Sequence, residues 1–87
     1  MNARFWQDGA PIQVTCDTHG RPQRFRWGSE THVVEHICNR WRVDDGWWRN
    51  NDQGWREYIK LITEDGLLCL LARNLTQDVW VLVRVYD

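Results

Sequence analysis

Val79-Trp80-Val81-Leu82-Val83-Arg84-Val85-Tyr86 carries a period of two from end to end. Alternate residues of a β-strand point to opposite faces. Val79, Val81, Val83 and Val85 therefore share one face, and Trp80, Leu82, Arg84 and Tyr86 the other. A strand this apolar on both faces cannot lie at an open edge without inviting aggregation. It is expected to pair on both sides, with residues 67–72 and with an earlier strand that closes the sheet, and its valine face is expected to build the core.

Working outward, Glu64-Asp65-Gly66 is a hairpin signal that joins residues 67–72 to a strand over residues 58–63, with strand character from Trp55. Residues 47–54 read as a polar loop holding two adjacent Trp, closed off upstream by Asp44-Asp45-Gly46. The longest β-like stretch covers residues 31–43. On it Val33, Ile37, Trp41 and Val43 share one parity, and His32, Val34, His36, Cys38, Arg40 and Arg42 the other. Pro22–Trp27 alternates Arg24 and Arg26 with Phe25 and Trp27, the mark of a half-buried strand. Residues 11–15 read as a short first strand, and residues 1–10 as a loose leading segment. No stretch holds a helical apolar stripe. The expectation is a single all-β domain over residues 11–87, four to six antiparallel strands forming a small barrel or strongly curved sheet.

Composition bounds the rest. At 87 residues the core is thin, and seven Trp exceed what so small a core absorbs, so some Trp are expected at the rim or surface. Net charge is −1, which supplies no bulk attraction to nucleic acid or acidic membrane. Lys60 is the one Lys among eleven basic residues, and Arg is the residue of planar stacking and bidentate contacts. Three Cys make no disulfide framework, and no apolar run approaches the roughly 18–20 residues of a membrane helix. With no leader-like start, a reducing cytoplasm is the expected setting.

The chemistry-bearing stretch is Arg40-Trp41-Arg42, then Trp47-Trp48-Arg49, then Trp55-Arg56 and Tyr58. Trp, Tyr and Arg are the residues of protein-interface hot spots, so these positions form the candidate surface for a protein partner. The bland reading is that Trp41, Trp55 and one of Trp47 and Trp48 plug the barrel ends under Arg stems. A second functional reading sets Arg24, Arg26, Arg40 and Arg42 with the same aromatics as a platform for single-stranded nucleic acid, against which Asp44, Asp45, Asp52 and Glu57 count. A third is a structural zinc site drawn from Cys16, His19, His32, His36 and Cys38, although alternate strand residues stand too far apart for a tight knuckle. No catalytic motif is present, and no metal, cofactor, membrane or enzymatic role is expected.

The order Phe25-Arg26-Trp27-Gly28, then Arg40-Trp41-Arg42-Val43, Gly46-Trp47-Trp48, Arg56-Glu57-Tyr58, the Asp65-Gly66 hairpin and Val79-Trp80-Val81-Leu82 with Val85-Tyr86-Asp87 resembles a small bacterial domain family of unknown function. That family also supplies the C-terminal module of ImuB-type proteins, relatives of the Y-family translesion polymerases. The likeness spans residues 11–87 and departs at Ile59, where an aromatic is expected, and at the leucines of residues 67–71. It implies a bacterial accessory or interaction module linked to DNA-damage tolerance. It carries over no catalytic residue, polymerase carboxylate or clamp-binding pentapeptide.

Overall fold

The computed structural model describes residues 3–44, 55–75 and 77–86. They form seven strands: β1 (Ala3–Pro11), β2 (Gln13–Cys16), β3 (Pro22–Trp27), β4 (Glu30–Asp44), β5 (Trp55–Thr63), β6 (Leu68–Asn74) and β7 (Val79–Tyr86). All pair antiparallel in one curled sheet of order β1-β7-β6-β5-β4-β3-β2. From β2 to β7 this is a simple meander. The exception is β1, which lies at one edge while the strand that follows it, β2, lies at the other. Only Ile12 separates them, and its N–H donates to the Trp80 carbonyl at 3.3 Å. The sheet is therefore rolled into an all-β half-barrel whose two edges are one continuous stretch of chain.

Rolling needs local bends, and the ladders supply them. Registers shift within β1, near the end of β2, twice in β4 and between β6 and β7. An extra residue in one strand of a pair bends it and sharpens its twist. The 15-residue β4 serves two neighbours in turn, pairing through residues 30–33 with β3 and from Val34 onward with β5.

The concave face is the core. In β5 the alternation is clean, with Glu57, Ile59, Leu61 and Thr63 buried. Leu71, Leu82, Val85 and Cys69 face them from β6 and β7 at 0% exposure, while Phe25 and Ile12 close the other side. Full burial of each large aliphatic contributes about 1.5–3 kcal/mol, so this small cluster holds the domain together. The β5–β6 hairpin turns at Gly66, whose φ of 92° favours glycine. Thr63 locks that turn, its hydroxyl oxygen accepting the Leu67 N–H at 3.0 Å.

Three expectations change. The first strand begins at Ala3 and pairs with β7, so the leading residues described here are built into the sheet. In β7 the valine face is not the core face. Leu70 pairs with Arg84 and Leu71 with Leu82, which leaves Val83 as an extra residue and brings Val85 onto the side of Trp80 and Leu82. Val79 is 49% exposed. In β4 a bulge at Glu35 likewise separates His32, buried on the inner face, from His36, exposed and opposite Ile62 on the outer one.

Candidate functional site

The candidate residues within the described chain gather where β4 and β5 run past the core. Arg40, Trp41 and Arg42 pair with Ile59, Tyr58 and Glu57 in regular register. Cross-strand partners share a face, so the pairs alternate between the two sides of the sheet. On the outer side Trp41 lies over Tyr58, ring centroids 5.6 Å apart and planes 17° apart, with Trp41 38% exposed. Half-buried Arg56 follows on that side, opposite Val43. Trp47, Trp48 and Arg49 lie outside the described residues.

On the inner side the sequence reading missed the central residue. Glu57 is a buried carboxylate, and Arg40 holds it with Nε donating to Oε2 at 3.3 Å and Nη2 to Oε1 at 3.0 Å. Arg42 approaches the same Oε2 at 3.9 Å with its own side chain 63% exposed. Glu57 also pairs across to Arg73, and Arg73 to Trp80, so one row runs Arg42-Glu57-Arg73-Trp80 across four strands. The Arg73 guanidinium stacks 5.4 Å over the Trp80 ring and bonds Asp78 Oδ1 at 2.8 Å. The signal was legible in principle. An acid at the parity of Ile59 and Leu61 sits on the apolar face and requires a cation beside it. Cys16 borders this end of the core; burial pushes its thiol up, and the nearby Arg73 pulls it partly back.

Trp55 shares the parity of Glu57, and at 48% exposure it plugs nothing; nor does Trp41. Trp80 is the well-buried one among the Trp side chains described. Arg24 and Arg26 stand exposed on either side of buried Phe25, and so on the face opposite Arg40 and Arg42. The four arginines do not make one strip. The zinc set is likewise dispersed: Cys16 is half-buried on β2, His19 exposed in a turn, and Cys38 exposed at a β4 bulge. Among the described residues no three His, Cys, Asp or Glu side chains converge as a metal set.

The stacked pair borders an open edge. β3 leaves β4 after Val33, and among the described residues no strand lies along the other side of residues 36–44. Bulges at Glu35 and Cys38 interrupt the first part of that edge, whereas residues 39–44 keep one register with β5. The Arg40 N–H turns to a side-chain acceptor there, Asn39 Oδ1 at 2.9 Å. Where β3 and β4 part, an open groove of ≈ 620 Å³ is lined by Arg21, Pro22, Arg24, Val34, Glu35 and Ile37 among others.

Comparison of the chain with protein-family models, curated proteins and solved structures returns no match. Among the described residues no helix is long and apolar enough to cross a membrane.

Proposed function

We propose that this chain is a non-catalytic, cytoplasmic interaction module that takes up an extended segment of a protein partner along residues 39–44 of β4. The observation that carries the reading is Trp41, stacked flat on Tyr58 and over a third exposed, beside an edge whose register is regular and along whose far side none of the described strands lies. Strand addition draws affinity from main-chain hydrogen bonds and specificity from alternate side chains. Here those would be Trp41 on one face and Arg40 and Arg42 on the other. Because Arg40 already occupies Glu57 at two points, the exposed Arg42 favours an acidic residue in the partner. The likeness to ImuB-type C-terminal modules directs the search for that partner to DNA-damage tolerance. The single-stranded nucleic-acid reading has less support, since its four arginines divide between two faces.

Capture from a bacterial lysate with wild type and with a Trp41→Ala/Arg42→Glu variant, both checked for cooperative melting, tests the reading. The captured complex is then followed by hydrogen exchange. The expected result is a partner lost by the variant and slowed exchange at residues 39–44. Capture that survives both substitutions, or protection confined to another part of the sheet, overturns it.

A further inference from the structure

The far end of the core holds a histidine in unusual surroundings. His32 is 5% exposed on β4, its ring 5.3 Å from Phe25 and 6.4 Å from Trp27 by centroids. Its Nδ1 lies 3.1 Å from Asp65 Oδ2, in the β5–β6 turn. Asp65 is held in place by the Thr63 hydroxyl, which donates to Oδ1 and, as the largest influence, keeps the carboxyl below its usual range. An ionised carboxylate only accepts, so the proton of a neutral His32 sits on Nδ1. The lone pair of Nε2 then points the other way.

That nitrogen is buried and has no hydrogen-bond partner among the described residues. Glu30 Oε1 stands 3.2 Å from it without the alignment of a hydrogen bond. Two acceptors at this distance repel unless a cation lies between them. Their spacing suits a metal: donors each about 2.0–2.2 Å from zinc, at an angle near tetrahedral, stand roughly 3.0–3.5 Å apart. Behind them Asp65 takes the partner position common to metal-bound histidine, receiving the other ring N–H. An open hollow of ≈ 320 Å³, lined by Trp27, Gly28, Ser29, Glu30 and Leu67, adjoins Glu30 and leaves room for water.

We propose that His32 Nε2 and Glu30 Oε1 bind one divalent cation of the zinc class, with Asp65 orienting the imidazole and water completing the sphere. An imidazole donor selects zinc-class ions over magnesium and calcium. Two carboxylates around a neutral ring supply the charge. Two protein donors make this an open site, in keeping with the lack of any converging set of three among the described residues. Glu30, with its side chain 69% exposed, is free to close on the ion.

Chelator-treated protein titrated with zinc chloride by calorimetry tests the assignment, alongside nitrogen-15 shifts of the histidine rings. The expected result is saturable uptake of one zinc per chain with a shift at His32 Nε2. Glu30→Gln and Asp65→Asn should each weaken uptake at least tenfold, and the exposed His36→Gln should leave it unchanged. Glu30 is a surface residue, so its variant reports on binding even where a His32 variant fails to fold. Uptake indifferent to Glu30→Gln, uptake abolished by His36→Gln, or no saturable uptake overturns the proposal. Protons on both ring nitrogens in the titrated protein would give the place between His32 and Glu30 to a proton instead.

Discussion

Arg40 grips Glu57 at two points, Nε on one carboxylate oxygen at 3.3 Å and Nη2 on the other at 3.0 Å. The acid is almost wholly buried, while Arg40 keeps 30% of its side chain in solvent. Removing the arginine strands a buried charge, but Arg42 remains 3.9 Å away to relieve part of it. Arg40→Met is therefore expected to cost about 1–3 kcal/mol, below the cost of breaking a fully enclosed pair. Adding Glu57→Leu should return most of that loss. Urea melts of the two single variants and the double close the cycle; additive losses would show that the grip contributes nothing as a pair.

Gly9 meets β7 at close quarters. A Cβ built there would fall 2.5 Å from Val81 Cγ2 and 2.6 Å from Val81 Cβ, at a φ of 84°. Gly66 has a similar φ of 92° with open space around it. Both Gly→Ala variants incur left-handed strain of roughly 1–2 kcal/mol. Only Gly9→Ala adds a clash, worth about 1–3 kcal/mol more. Thermal melts should rank the two in that order, and equal losses would place β1 elsewhere than against Val81.

The β7 bulge predicts opposite fates for neighbouring apolar residues. Leu82, fully enclosed, should lose about 2–5 kcal/mol on replacement by Ala. Val79, half in solvent, should change by no more than about 0.5 kcal/mol. Denaturant midpoints for the pair decide between this face assignment and the all-valine face that simple alternation suggests.

Alternation located β3, β5, β6 and β7 to within a few residues, because each has a run of apolar positions bounded by turn residues. It failed at bulges. One inserted residue leaves the spelling of a strand unchanged but swaps every side chain beyond it, as Val83 does for Val85 and Glu35 for His36. The strand Ala3–Pro11 was illegible for a different reason: apart from Phe5 and Trp6 its stretch has no large apolar residue to mark an alternation, and its partner is the distant β7. At the site, the residue types of Trp41 and Tyr58 were visible, yet their stacking depended on a register that only the fold defines. Glu57 was read as a repulsive charge and is a buried anchor.

The turn before β3 carries a pH signature. Asp17 accepts the Arg21 N–H at 2.9 Å, the His19 N–H at 2.8 Å and the Arg21 Nε at 3.2 Å. The Arg21 backbone bond leads in holding its carboxyl below the ordinary 3.8. A lowered folded-state value adds stability above the unfolded value and loses it as pH falls through the folded one. The gap between wild type and Asp17→Asn should thus be constant above about pH 5 and narrow below 3.8. Melts at a series of pH values measure it, and a gap that holds at about pH 3 would assign the effect to the loop's shape instead.

The placement of β1 between Ile12 and β7 sets a timetable for synthesis. A ribosome adds about 5–20 residues per second and releases the amino end first. Each hairpin from β2 to β7 finds its mate in the strand made next, so the meander can assemble as it emerges. β1 has no such neighbour. Its partner is the last of the seven strands to be translated, and until then it waits with its ladder bare, open to the wrong edge. The stretch Ala3–Pro11, which carries the adjacent aromatics Phe5 and Trp6, is accordingly where a chaperone has most to protect.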